Sequence, residues 1–545
     1  MKTMIRTVLT TLVCGLVATA SFADDVAETI SADGETVTGS YESVADAIAY
    51  CESGGTVRLL ADVTITVILK VSRDLTVDLN DHKLSSSNVG VFVTDNSAPA
   101  TLTVINGMLD SNRMLFQLNR GDLTVNVRDC SLTGSRVVQP YATVAEPGSQ
   151  VNIYDSTVNM TYLGSSGVAT LNIYSGEATV ANWFQYAHDE GNETLIRLYG
   201  GTYTENPRSA ETDGRQVVAD GCMVQGHWQP PWNVWTVRAR DEFSVVSNGY
   251  GFPGFNEAVT SSDGDSHIEL VEDCTVEAYN KATKDIDVDL GGHTLDGYAL
   301  LVGTVTCRIS NGTLTSDEKG WPLVDMSAGG TLVASNVVFR QTEGKQQTAV
   351  KLGQANAAVT VVGGSVTTDY LLSGNNAETL ATCSLTVQGD GENLCTRFNY
   401  DNIYPEGFAF AIRGGRWTFD PSANVPQDST CVVLYKSGAT PCAYRVLDFD
   451  DLAANGFKVS LDDPLNGAAA LAGRTVAAPA GMIAVTLDAA PERRTIIADF
   501  SNAFPANAAQ PVFELAEKPS KHSYIAYAAG TLSAFVSRAF VITIR

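Results

Sequence analysis

A duplication constrains this chain more than any other feature of it. The segment from Tyr41 to Leu84 lines up with Phe252 to Leu295 at a constant offset of 211 residues and without a gap, the mark of a structural unit made twice. Ala47 recurs as Ala258, Leu59 as Leu270, Asp62 as Asp273 and Thr64 as Thr275. The strongest block is DLTVDLNDHKL (Asp74 to Leu84) against DIDVDLGGHTL (Asp285 to Leu295), followed in each copy by an Asn-Gly pair at Asn106 and Asn311. A second block closes each copy, GGTYTENP (Gly200 to Pro207) against GGRWTFDP (Gly414 to Pro421), at an offset of 214. The 545 residues thus divide into a leader over 1–23, one module over 24–238, its homologue over 239–446 and a tail over 447–545.

Each module carries a finer period. Short runs of alternating apolar residues begin at Leu75, Leu102, Leu123, Val151, Leu171 and Leu195, five steps with a mean of 24 residues; Ile286, Cys307, Leu332, Val359, Leu385 and Ala409 give a mean of 24.6. In LTVNV, Leu123, Val125 and Val127 face one way and Thr124 and Asn126 the other, the pattern of a half-buried strand. Gly, Asn, Asp and Ser fill the gaps, residues that turn a chain and tolerate positive φ. Strands this short and evenly stepped, with no helix-period stretches between them, point to a solenoid whose coils stack by parallel pairing. An immunoglobulin-like array would space its strands by about 8–12 residues. About eight coils at ~4.8 Å each would make every module a rod of roughly 40 Å.

Open coil ends expose strand edges and core, so they need covers. YESVADAIAYC (Tyr41 to Cys51) is the one good amphipathic helix of the first module, with Val44, Ala47, Ile48 and Cys51 at i, i+3, i+4 and i+7. GFNEAV (Gly254 to Val259) is its counterpart, and both read as entry caps. The stretches after GGTY and GGRW, ending at Trp235 to Val237 and Tyr444 to Val446, read as exit caps.

The cap helix, the TVRLLADVT-like first strand, the DLxxHxL block, NGxL and the closing GGxxxxxP block together resemble secreted bacterial proteins with right-handed parallel β-helix modules of the pectin-lyase-like superfold. The resemblance covers about 41–446. It implies extracellular or cell-surface placement, and it leaves function open, because that superfold carries polysaccharide lyases, glycoside hydrolases, adhesins and proteins with no known activity. The fold expected is all-β: two tandem right-handed parallel β-helix modules and a small C-terminal antiparallel β domain. For that tail the strand-like runs are Phe457 to Leu461, Met482 to Leu487, Arg494 to Phe500, Pro511 to Leu515 and Phe540 to Ile544. They read as a sandwich without the 24-residue step.

Composition fixes the compartment more than the chemistry. Lys2 and Arg6, the apolar stretch Val8 to Ala20 and the small residues Ser21 and Ala23 read as a secretory signal cut before Asp24. That apolar stretch is too short to span a membrane. Without the two basic residues, 33 positive charges face 61 negative ones, giving −28 for the mature chain. Such a balance offers no basic stripe to displace counterions from a polyanion, so nucleic acid is excluded as a main partner. Nine mature cysteines show no CxxC and no His/Cys metal spacing, which argues against zinc. Cys383 with Cys395, or Cys431 with Cys442, are spaced to pair across a loop; most of the others read as small buried residues.

No catalytic constellation stands out. A β-helix lyase needs a basic residue beside the uronate and acidic residues holding calcium, and a hydrolase needs convergent carboxylates. The GHG and RIK blocks of pectin hydrolases do not occur, and the Asp-Asp pairs at Asp24, Asp450 and Asp462 all lie outside the coils. The pairs Asp78 with His82 and Asp289 with His293 recur in both copies, as a structural turn does and a single active site need not. Asp325, Arg340, Lys351 and Asp369 fall on successive coils, either sharing a face or forming ordinary solvated charges. HWQPPWNVW (His227 to Trp235) places Trp228 and Trp232 in a Pro-rich loop, and WFQY (Trp183 to Tyr186) sits at a turn. Exposed rings of this kind stack on sugars, the alternative being that they plug a coil end; Trp235 and Trp417 belong to the repeated cap blocks and read as structural. The reading is therefore a secreted or cell-surface, non-enzymatic β-helix scaffold for glycan binding or adhesion. Trp228 and Trp232 are its candidate carbohydrate contacts, no metal or cofactor is called for, calcium is left open but not indicated, and a polysaccharide lyase or hydrolase is the alternative. The oligomeric state is left open.

Overall fold

The computed structural model describes residues 24–536 except 95–98, 120–122, 141–147, 165–168, 185–193, 214–215, 227–233, 263, 265, 277–279, 298–299, 317–321, 327, 342–346, 375, 394–396, 400–405, 427–429, 436–441, 462–475, 477, 502 and 505–508. Strand takes up 57% and helix 9% of the described residues, and the strands wind into a β-solenoid of about 13 turns. By packing, the chain falls into two compact units, Met1–Glu242 and Phe243–Arg545. No helix among the described residues is long and apolar enough to cross a membrane.

In the first unit the leading strand of each coil pairs in parallel with that of the next, so one apolar side chain sits above another. Val57 pairs with Val77, Val77 with Val104, Val104 with Val127, Val127 with Ile153, Ile153 with Ile173 and Ile173 with Leu198. All are buried. The second unit repeats the column as Ile268, Val288, Ile309, Ala334, Val361, Val387 and Ile412. β-Branched residues dominate because they fit a pleated, half-buried surface with little rotamer loss. Two of the expected strand starts are one residue out of register: Leu195 and Ala409 face outward, while Ile196 and Phe410 occupy the pairing positions of Leu171 and Leu385. A slip of one residue exchanges the two faces, and Leu195 is 43% exposed.

The repeated Asn-Gly pair makes the corner between the first and second strands of a coil. Asn106 and Asn311 take φ of 58° and 57°, and Asp129, Asp155 and Asn336 take the same left-handed conformation at the corners of other coils. Asn and Asp tolerate it best among residues with side chains. The glycine follows because a Cβ on Gly107 would lie 2.4 Å from the Leu79 Cβ, and one on Gly312 2.4 Å from the Leu290 Cβ. The preceding coil passes too close for any side chain there.

The ends are closed by antiparallel strands. At the entry of the first unit, Ala27–Ile30 pairs antiparallel with both Val37–Tyr41 and Thr56–Leu59. Helix α1 (Val44–Tyr50), N-capped by the Ser43 hydroxyl, buries Val44, Ala47 and Ile48, and Cys51 is buried beside it. Helix α2 (Phe255–Ser261) does the same in the second unit with Phe255, Ala258 and Val259. At the exits Trp235–Ala239 and Tyr444–Asp448 run antiparallel to Gly201–Tyr203 and Gly415–Trp417. The closing blocks place an aromatic residue there: Tyr203 donates to the Gly200 carbonyl at 2.6 Å and Trp417 Nε1 to the Gly414 carbonyl at 3.0 Å. Both rings are fully buried, which gives Trp417 the structural part expected of it.

The tail holds the antiparallel sheet expected of it and a parallel one besides. Phe457–Val459, Met482–Leu487 and Val512–Leu515 form a parallel sheet, while Thr495–Asp499, Thr531–Val536 and Ser523–Ala528 form an antiparallel one. Alternation alone does not encode strand direction, and connections as long as 460–481 and 488–511 allow parallel crossovers. The tail's core takes in Val432, Leu434 and Leu447 from the exit strands. The run 540–544 lies outside the described residues.

Candidate functional site

The outward positions of the first unit's leading strands are where its surface chemistry concentrates. Along Leu123–Pro140, Gln150–Tyr154, Ala169–Ile173 and Thr194–Leu198, register brings Asn126, Asn152, Asn172 and Arg197 into one column. Two residues further along each strand, Arg128, Tyr154, Tyr174 and Tyr199 follow in a second column. Parallel pairing at about 4.8 Å per coil holds like beside like.

In the aromatic column the Tyr154 and Tyr174 ring centroids are 4.7 Å apart with planes tilted by 4°, and Tyr174 and Tyr199 are 4.7 Å apart at 8°. The Arg128 guanidinium lies 4.0 Å from the Tyr154 ring centroid and covers that end of the stack, a cation–π contact worth about 0.5–1 kcal/mol at an exposed position. Tyr174 and Tyr199 are exposed and Tyr154 is half-buried. Burial pushes the Tyr174 phenol above its ordinary value, with the flanking Tyr154 and Tyr199 acting in the same direction. In the amide column Asn152 Nδ2 donates to Asn126 Oδ1 at 3.0 Å and Asn172 Nδ2 to Asn152 Oδ1 at 2.8 Å. Gln150 Nε2 reaches the Thr124 hydroxyl at 3.4 Å. Because the rings face each other at van der Waals separation, no ligand fits between them. They offer their edges and hydroxyls, beside amides fixed by one another, of which Asn152 and Asn172 are buried.

The second unit lacks these columns. Its corresponding outward positions hold Val333, Thr360, Thr386 and Ala411, followed by Ser335, Val362, Gln388 and Arg413. The aromatic and amide columns therefore belong to one copy only, and coil stacking does not require them.

The residues singled out by sequence are distributed differently. The histidines approach Asp62 and Asp273 rather than Asp78 and Asp289: His82 Nδ1 lies 3.4 Å from Asp62 and His293 Nδ1 3.7 Å from Asp273. Asp78 accepts from the Asn80 N–H and the Asn106 side chain and pairs with Arg58, while Asp289 accepts from the Gly291 N–H and Asn311. All of this is corner stabilisation. Asp325 and Lys351 do meet, at 3.7 Å on neighbouring parallel strands, with Asp325 buried. Arg340 lies on Thr331–Gln341 in a different sheet, and Asp369 lies in the turn before Tyr370–Gly374. Trp228, Trp232 and Tyr186 lie outside the described residues. Trp183 is buried, its indole N–H donating to Ser209, so that ring is part of the packing. Trp235 is half-buried opposite Tyr203.

The cysteines offer no activated nucleophile among those with a shifted thiol. Burial pushes Cys130 and Cys274 up to about 11 and Cys307 up to about 12, the reverse of what a reactive thiolate needs. Cys431 and Cys442 are both present as thiols, Cys431 donating to the Arg413 carbonyl; Cys395 lies outside the described residues. No group of three His, Cys, Asp or Glu that would hold a metal is found among the described residues.

No protein-family model matches the chain, and no curated protein and no solved structure matches it.

Proposed function

We propose that this chain is an exported β-helix scaffold, and that the outer face of its first unit binds a neutral extracellular glycan without turning it over. The observation that carries this reading is the Arg128–Tyr154–Tyr174–Tyr199 stack, with Tyr174 and Tyr199 exposed on successive coils in one copy of a duplicated fold and backed by the largely buried Asn126–Asn152–Asn172 ladder. Phenol hydroxyls and ring edges suit a ligand rich in hydroxyl and C–H groups. Columns that repeat at coil pitch suit a linear polymer lying along them. The charge of −26 on the full chain disfavours polyanions, and the apolar leader with its basic start supports export.

The test is a glycan array probed with the mature chain, with reducing-sugar and unsaturated-product assays on every bound polysaccharide. Binding to neutral glycans without product is expected, and Tyr199→Ala weakens it about tenfold, or 1.4 kcal/mol. Turnover would replace this reading with the lyase or hydrolase one. Undiminished binding by Tyr199→Ala, alongside loss in Trp232→Ala, would move the site to the loop over 227–233.

A further inference from the structure

The two copies diverge at a second place, the corner where the closing strand is laid down. In the first unit Thr202 lies opposite Thr236. The same antiparallel pair in the second unit is Arg416 opposite Arg445, and Tyr199 has become Arg413 at the offset of 214. Like charges directly opposite on paired strands repel, so such a cluster exists only with a counter-charge. Asp390 supplies it, accepting from Arg445 Nη2 at 2.7 Å and lying 3.7 Å from Arg416 Nε. Arg445, 5% exposed, also donates to the Lys458 carbonyl at 3.4 Å, and its guanidinium carbon stands 5.3 Å from the Phe457 ring centroid. It is fixed on every side.

Arg413 is held differently. Its Nη1 forms an ion pair with Asp448 Oδ2 at 3.7 Å, too long for a hydrogen bond, while the other Asp448 oxygen accepts from the Thr430 hydroxyl and the Asp450 N–H. Among the described residues neither the Arg413 guanidinium nor the Lys458 ammonium makes a hydrogen bond. Arg413 and Lys458 are among the residues lining a cleft of about 220 Å³ that also takes in Arg445 and carries Asp451 and Asn455, joined to each other at 2.7 Å.

We propose that this cleft binds a small polyhydroxy monocarboxylate, its carboxylate on Arg413 and Lys458 and its hydroxyls toward Asp451 and Asn455. A planar carboxylate matches the guanidinium fork, which a point charge does not exploit. The three aspartates at the cleft, Asp390, Asp448 and Asp451, act against any ligand with a second negative charge and attract hydroxyl donors instead. The site is separate from the aromatic face of the first unit, and its test does not depend on that reading.

The experiment is calorimetric titration of the mature full chain with gluconate, with glucose as the neutral control and sulfate as the tetrahedral one. Gluconate binds at millimolar concentration or better and glucose and sulfate do not; Arg413→Gln weakens gluconate at least tenfold and Lys458→Gln several-fold, while melting temperatures stay at the wild-type value for Lys458→Gln. No gluconate binding, equal binding of glucose or sulfate, or full affinity in the Lys458→Gln variant would each overturn the proposal.

Discussion

Removing the middle ring of the tyrosine column separates what the stack does for the fold from what it does for a ligand. Tyr174→Ala deletes two ring contacts at 4.7 Å, one to Tyr154 and one to Tyr199. Stacked aromatic pairs contribute about 0.5–1.5 kcal/mol each beyond area burial. With Tyr174 36% exposed, the lower part of that range applies, so the expected loss is about 1–2 kcal/mol. In a unit of this size each kcal/mol moves the melting temperature by about 2–4 °C. Tyr174→Phe keeps both contacts and should melt like the wild type. A double-mutant cycle with Tyr199→Ala should return a coupling of about 0.5–1 kcal/mol. Alkaline pH supplies an independent check. The folded state holds the Tyr174 proton more tightly than the unfolded chain does, so that contribution is complete below the ordinary phenol pKa of 10.0 and is lost as pH rises through the higher folded value. Wild type should therefore lose more stability than Tyr174→Phe in that window. A coupling of zero, or a Tyr174→Phe variant as unstable as Tyr174→Ala, would refute the stack as a source of stability.

The Asn-Gly corners make a second prediction: Asn106→Ala and Asn311→Ala should each cost about 1–2 kcal/mol for the left-handed backbone alone, and Gly107→Ala about 1–3 kcal/mol by overpacking against Leu79, whereas Asn106→Gly should be milder; denaturant titrations give the order. Acid sensitivity follows from Asp62 and Asp488, whose carboxyls are held below the ordinary 3.8 chiefly by the Lys83 N–H and the Ser460 hydroxyl respectively. Their contribution is present above that value and lost as pH falls below it, so Asp488→Asn should flatten the fall in melting temperature on acidification, and an unchanged slope would contradict it. Alkylation at about pH 8 should leave Cys130, Cys274 and Cys307 unmodified until the chain unfolds, because the thiolate is the reactive form; mass spectrometry of folded and denatured samples reads this directly.

The backbone plan was legible because duplication and alternation are both printed in the sequence. Val125, Val127, Val151 and Ile153 announce the core face, and Asn106-Gly107 announces the corner. What misled was the strand edge: in TLIRL, Leu195 reads as the first apolar residue, although Thr194, Ile196 and Leu198 are the ones inside. Hydropathy ranks Leu above Thr, but register is set by the neighbouring coil. The His82 partner was missed for a similar reason. Asp78 is close in sequence, whereas Asp62 comes from the preceding coil, and only stacking brings it to 3.4 Å. The tail's mixed strand directions left no periodic trace at all.

The tyrosine column was legible in principle. NIYDS, NIYSG and RLYGG end three successive leading strands, at steps of 20 and 25 residues. Within one strand a terminal Tyr is unremarkable; it becomes a column only once coils are known to stack in parallel and in register. The same reasoning explains why the duplicated pairs Asp78 with His82 and Asp289 with His293 attract attention without carrying chemistry. Both copies must turn the same corners and close the same ends, so positions shared between them report the demands of the β-helix. Tyr199 and Arg413 occupy equivalent corners of the two copies, and neither copy needs the other's residue to fold. Where one backbone position is filled once by a stacked ring and once by a cation facing a cleft, the backbone cannot be the cause of the choice. Divergence between the copies is thus the better guide to binding here, and it directs experiment to the outer face at Tyr154–Tyr174–Tyr199 and to the cleft at Arg413 before any of the recurrent pairs.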